Sequence, residues 1–198
     1  MRTVCLPDGM VVGLTGSPSE REGLLNLFRA VALEQGWRPA DDLEGDAETA
    51  ICVAATCDGR LAGGVALRQS DGQRRLPIHG TWPELAGLPL PEPAELVLIA
   101  LAPDHRATPG LLWALCAEAW RACARRGVTD LLAAVPPRNL PLYRRLGWCP
   151  ETVGPEREHW GEPCLPCRIG IAGVAEEFAR RAARSPDHAL AVRVAHRD

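Results

Sequence analysis

The sequence contains no lysine: its 22 basic residues are all arginine, set against 25 acidic residues for a formal charge of −3. Nucleic acid and anionic membranes attract proteins through excess positive charge, so neither partner is expected. Aromatic residues are scarce, with two phenylalanines and a single tyrosine, Tyr143. No apolar run approaches the roughly 20 residues of a membrane-spanning helix. The start, MRTVCLPDGMVVGLTG, lacks the sustained apolar core of a secretory signal. A cytoplasmic location is therefore expected. In that reducing setting the eight cysteines, mostly inside apolar segments such as AICVAATC, read as small core residues rather than disulfide partners.

What is present suits one ordinary domain: 198 residues, 46% hydrophobic and 24% charged. VVGL (11–14) reads as a strand. GSPSEREGLLNLFRAVALEQG then opens a helix, with Ser17 or Ser19 as cap, Pro18 early and Glu20 and Glu22 in the first turn. Leu24, Leu25, Phe28, Val31 and Ala32 recur at helical spacing, so one face packs on a core. AICVAATC (50–57) and LAGGVALRQ (61–69) flank an Asp-Gly turn, a strong hairpin signal. Proline and glycine in 76–93 break any period, which predicts an ordered insertion with a single helical turn.

AELVLIALAP is apolar on both faces, as a central strand is. TPGLLWALCAEAWRACARRG (108–127) predicts a helix capped by Gly127, with Glu118, Arg121 and Arg125 on a solvated stripe and Trp113 and Trp120 in the core. A buried strand VTDLLAAV, a short helix RNLPLYRRLG and a strand WCPETV follow. A loop to residue 163, a strand near CLPCRIGI and a terminal helix VAEEFARRAARS complete the order. The fold class expected is α/β (α+β), a largely antiparallel sheet flanked by helices. Residues 1–172 would form the domain, and 173–198 a helix and tail packed on it or extending from it.

The turn in ALAPDHRATPGLLWAL (100–115) leads from strand into helix. Thr108 suits the N-cap and Pro109 the first helical position, which would leave the Gly110 and Leu111 amides open at the positive end of the helix dipole, beside Arg106. Such a mouth suits a pyrophosphate or a phosphopantetheine phosphate, and equally a plain capped helix with a solvated arginine. On an alternating strand Glu95 would share a face with Val97, Ile99 and Leu101, desolvated and with a raised pKa suited to taking an ammonium proton. The other reading is an edge carboxylate paired with an arginine. CLPC (164–167) with His159 and Cys149 has metal-like spacing. Cys164 and Cys167 would face opposite sides of an extended segment, however, so no metal is expected.

Together AELVLIALAPDHRATPGLLWAL and VTDLLAAVPPRNLPLYRRLGW resemble the donor half of the GNAT superfamily of N-acyltransferases. Its pattern is a strand, an Arg-x-x-Gly-x-Gly/Ala loop and helix, a second strand, and a helix end Tyr-x-x-Leu-Gly-Phe/Trp, here YRRLGW (143–148). The insertion, the AEL opening and GEPCLP look more like the long-chain N-acyl amino acid synthases and the related acyl-homoserine-lactone synthases, over roughly residues 60–172.

That resemblance implies transfer of an acyl group from a phosphopantetheine thioester to the primary amine of a small molecule or amino acid by direct attack. No permanent cofactor is implied beyond this acyl-phosphopantetheine co-substrate. It implies Glu95 as base and Tyr143 as acid at the sulfur. Backbone groups of Ile99 and Leu101 would meet the pantetheine amides, and Arg106, Ala107, Thr108, Gly110 and Leu111 would surround the phosphate. Ala107 replaces the first loop glycine and Pro136 an asparagine often found there. A bulkier loop with fewer open amides favours acyl carrier protein over acyl-CoA as donor.

The variable segments PIHGTW and EREHWGEPC offer His79, Trp82, His159 and Trp160 for the acceptor amine. Arg138, Arg144 and Arg145 offer a face for an acidic carrier protein. A module that binds a carrier protein or ligand without turnover would use the same residues.

Overall fold

Local signals set the first elements of the computed structural model, which describes residues 4–5, 9–38, 50–70 and 75–184. After β1 (Val4–Cys5) and β2 (Met10–Leu14) comes α1 (Pro18–Gln35). Its cap is reciprocal: the Glu20 amide donates to Ser17 Oγ (3.2 Å), and the Ser17 amide donates to the Glu20 carboxylate (3.0 Å). Gly36, at φ 69°, ends the helix. β3 (Ala50–Cys57) and β4 (Arg60–Gln69) form the expected hairpin, with Asp58 and Gly59 at φ 49° and 75° in its turn.

The insertion yields α2 (Ile78–Thr81) and a 3-10 turn at Pro83–Gly87 before β5 (Pro93–Leu101). Then follow α3 (Leu111–Arg125), β6 (Asp130–Val135), α4 (Leu140–Arg145), β7 (Glu151–Thr152), β8 (Arg157–His159), β9 (Glu162–Gly170) and α5 (Ile171–Ala182). The sheet order is β1-β2-β3-β4-β5-β6-β9-β7, with β8 paired to β9. Only β5 and β6 run parallel. The mixed, largely antiparallel architecture expected from the sequence is the one observed.

On one face α3 and α5 cover a core that includes Val12, Ile51, Leu96, Leu115, Leu131 and Phe178. On the other, α1 sets Leu24 and Phe28 against Leu98 and Ala100, while the insertion packs Ile78, Trp82 and Leu85 with Leu132 and Cys164. Gly64 allows α1 this approach. A Cβ there would meet Leu24 Cδ1 at 2.1 Å and the Val53 carbonyl oxygen at 2.8 Å.

Three expectations are corrected. Glu118 and Arg121 are not on a solvated stripe: they pair at 2.5 Å with side-chain exposures of 1% and 7%, because α3 packs against β2, β3 and β4 and meets α5. The loop before residue 163 contains β8, whose hairpin turns on Trp160 and Gly161 at φ 54° and 92°. A tryptophan in the left-handed region carries no turn signal in sequence. WCPETV contributes only the two residues of β7.

Two irregularities in β5 matter most. Against β4, Leu96 pairs with Leu67 but Leu98 with Ala66, so Val97 is an extra residue, a β-bulge. Against β6, pairing stops at Leu96–Ala133, although β5 runs on to Leu101 and β6 stays paired with β9 up to Val135. Beyond Leu96 the two parallel strands part.

Candidate active site

Between the parted strands lies a narrow slot of about 90 Å³, walled by Leu96–Ile99 on one side and by Ala134, Pro136 and Asn139 on the other. Glu95, Tyr143, His159 and Trp160, four of the residues singled out in sequence, line it together. They reach it from both faces of the sheet. Tyr143 packs on the α3-side core, and Trp160 packs on the α1-side cluster.

Glu95 is 2% exposed and its Oε2 accepts the Ile78 amide at 2.8 Å. The face predicted for it is corrected. The bulge at Val97 breaks the alternation, so Ile99 and Leu101 pack toward α3, while Glu95 lies with Leu98 and Ala100 on the α1 side. Its neighbours there are the insertion and the β8–β9 hairpin, the segments expected to hold an acceptor. Ile99 lines the slot; Leu101 lies past its end, half-buried.

Tyr143 enters from α4, its ring edge-on to Trp148 at 6.2 Å. Gly147, at φ 82°, ends this helix, with Phe178 of α5 packed close beneath it. Burial, reinforced by the nearby Cys116, Cys167 and Cys164, raises the Tyr143 pKa above its ordinary 10.0, so the hydroxyl keeps its proton at working pH. Cys164 also faces the slot, and burial pushes its thiol up to about 12, which keeps it from acting as a thiolate nucleophile. Cys164 and Cys167 belong to cores on opposite faces, so they converge on no common ion.

At the acceptor end His159 stacks on Trp160, with centroids 5.1 Å apart, and its Nδ1 lies 2.9 Å from Thr81 Oγ1. Trp37, just past α1, meets Trp160 at 6.5 Å, and the Arg38 amide donates to the Trp160 carbonyl at 2.9 Å. The buried Trp160 Nε1–H has no acceptor among the described residues. Trp37, Asn139 and Glu162 are slot residues that sequence reasoning missed, since nothing local marks residues brought together from α1, the turn before α4 and β9.

The structure corrects two further acceptor-site expectations. Trp82 is fully buried, donates Nε1–H to the Pro155 carbonyl at 2.8 Å and props His159 (centroids 5.5 Å apart) from behind, so it lines no part of the slot. His79 faces a separate cavity of about 270 Å³ with Arg75, Leu85 and Leu88. Burial first, then the Arg75 charge, holds its pKa below 6.5.

At the helix mouth, α3 begins at Leu111 with Gly110 as cap at φ 76°, and the Thr108 side chain caps nothing. The Leu111 amide reaches the Thr108 carbonyl (3.4 Å), and that of Thr108 the His105 carbonyl (3.1 Å). The Ala107 and Gly110 amides of this loop, and the Leu112 amide in the first turn of α3, have no backbone partner among the described residues. Arg106 is not a free cation, because both of its terminal nitrogens engage Glu34 of α1, at 2.6 and 2.5 Å. Arg138 is likewise held by Glu162, and Arg144 and Arg145 are exposed on α4.

A mixed, largely antiparallel sheet with one parallel pair, covered by helices on both faces, matches the fold of GNAT-like acyltransferases. An acyl-CoA N-acyltransferase from Pseudomonas aeruginosa superposes with a TM-score of 0.58 at 18% identity, over 81% of this chain and 98% of the other. Within that class the chain belongs to the N-acyl amino acid synthase FeeM family, whose profile matches residues 33–169. FeeM itself, an N-acyl amino acid synthase from uncultured soil microbes, has a TM-score of 0.71 at 20% identity, covering 85% of this chain and 94% of that one. BjaI, a CoA-dependent acyl-homoserine lactone synthase solved with SAM and isopentyl-CoA, has a TM-score of 0.67 at 17% identity, over 92% and 99% of the two chains. No curated protein sequence matches. The protein is thus an acyltransferase of this family. No helix among the described residues is long and apolar enough to cross a membrane.

Proposed function

We propose that the slot transfers an acyl group from a phosphopantetheine thioester to the primary amine of a small molecule or amino acid, without an acyl-enzyme. The observation that carries this reading is the convergence of Glu95 and Tyr143 on one narrow slot beside β5, where that strand has lost its β6 partner. A pantetheine arm with its amides can lie along such an edge as an added strand does.

Glu95 takes one proton from the acceptor ammonium, and the freed amine attacks the thioester carbonyl carbon. The C–S bond breaks as the Tyr143 hydroxyl protonates the sulfur. The second nitrogen proton restores the phenol, and Glu95 releases the first to solvent. Every residue in this sequence of steps lies within 1–172; α5 supports it from below through Phe178.

Acyl carrier protein is the donor we favour, and its phosphodiester needs less than the diphosphate of coenzyme A. The mouth's arginine is already paired with Glu34, which leaves it less to offer a diphosphate. The exposed Arg144 and Arg145 then face an acidic carrier. The deciding experiment follows thiol release, with mixed amines, from acyl-CoA and from the same acyl group on a holo carrier protein. Release from the carrier-bound donor about tenfold faster is expected, and equal or faster use of acyl-CoA overturns the donor assignment. Reversing both charges, Arg144→Glu with Arg145→Glu, should raise KM for the carrier-bound donor by about tenfold and leave a short acyl-pantetheine donor unaffected. Parent-like kinetics with the carrier would sink the docking face.

Tyr143→Phe removes only the hydroxyl. Its kcat should fall by about 10²-fold with KM little changed, the loss of an acid acting in the transition state. An undiminished kcat rules the acid role out.

A further inference from the structure

We infer that Glu34 of α1 sets which donor headgroup the mouth of α3 admits, handicapping a multiply charged diphosphate and sparing a phosphodiester. This rests on the acyl-transfer reading, in which the phosphate of the donor's pantetheine arm lies at that mouth. It adds a specificity-determining residue that belongs neither to the slot nor to the donor loop.

Glu34 lies in the last turn of α1, and Arg106 in the turn between β5 and α3. Their contact is two-pronged: one terminal guanidinium nitrogen donates to Oε1 at 2.6 Å and the other to Oε2 at 2.5 Å. That fork is what a guanidinium otherwise presents to two phosphate oxygens, so the carboxylate and a phosphate compete for the same donors. The hydrogen bonds from Arg106 hold the Glu34 pKa below its ordinary value, so the competitor is an anion at working pH.

Charge makes the competition selective. With Arg106 balanced by Glu34, the turn meets a ligand with the Ala107, Gly110 and Leu112 amides, which have no backbone partner among the described residues. To these the α3 dipole adds about half a positive charge. Asp104, exposed in the same turn, adds a negative one. A single phosphodiester charge suits such a mouth. Coenzyme A brings a second linking phosphate and a ribose phosphate as well, toward a segment whose cation is already taken. Glu34 and Arg106 are 44% and 41% exposed, so water and salt limit the handicap to several-fold. An exposed pair also yields readily, which makes Glu34 a selector of donors and not a plug.

The test measures, by calorimetry on the full chain, binding of coenzyme A, phosphopantetheine and pantetheine to the parent and to Glu34→Gln. Loss of the carboxylate charge is expected to tighten coenzyme A about fivefold, phosphopantetheine about twofold and pantetheine not at all. The coenzyme A gain should shrink as salt is added, and Arg106→Gln placed in the same chain should remove most of it. Turnover of acyl-CoA, read by thiol release, should gain in kcat/KM to the same extent. Damage to α1 would shift all three probes alike and independently of salt; that result, or an unchanged coenzyme A affinity, overturns the inference. Tighter coenzyme A binding with no thiol release from any donor would instead refute acyl transfer while leaving the role of Glu34 standing. A parent that already prefers acyl-CoA, with a variant that binds coenzyme A more tightly still, would refute the carrier assignment alone.

Discussion

Replacing Glu95 by glutamine is expected to reduce kcat/KM by about 10²- to 10³-fold while the folded structure and donor binding persist, the range in which loss of a positioned base falls. The substitution is nearly isosteric, and the amide oxygen can still accept the Ile78 N–H that now reaches Oε2 at 2.8 Å. α2 and the packing of the insertion should therefore survive, leaving only the proton-accepting step affected. Steady-state kinetics with a saturating donor, beside a thermal melt, check it. A folded variant with more than half of the parent activity would remove Glu95 from the mechanism and return it to the role of a structural carboxylate.

The largest expected effect on stability lies away from the slot. Arg121→Ala strands Glu118, 1% exposed, with the half-exposed Arg125 at 3.2 Å as its one remaining ion-pair partner among the described residues. A buried carboxylate deprived of its cation costs about 3 kcal/mol or more. For a chain of this size that corresponds to a fall in Tm of roughly 6–12 °C. Glu118→Gln added to Arg121→Ala removes the buried charge and should recover much of the loss, which scanning calorimetry can read. A single variant melting within about 2 °C of the parent would show that Glu118 finds another partner or water.

Both predictions depend on positions whose sequence reading was incomplete in different ways. Glu95 is legible in the sequence as an acid embedded in an apolar strand, but the face it occupies is not. Glu118 and Arg121 have the i, i+3 spacing of a surface pair, and nothing in the helix itself shows that three strands and α5 surround it. Arg106 and Arg138 looked like free cations because their partners, Glu34 and Glu162, are far away in the chain. His79 and His159 were equivalent candidates by composition, but they line different cavities.

What the chain settled by itself is whatever its neighbours within a few positions decide. The Ser17–Glu20 cap, the Asp58–Gly59 turn, the apolar strand around Glu95 and the YRRLGW helix end each depend on local backbone preference or short periodicity, and so could be read directly. Only the tertiary structure decided that β5 bulges at Val97 and leaves β6 after Leu96. Register is set by pairing with strands remote in sequence, and one extra residue reverses every side chain beyond it. That reversal puts Leu98 and Ala100, rather than Ile99 and Leu101, on the face that Glu95 shares, and it made the slot invisible until the sheet was assembled.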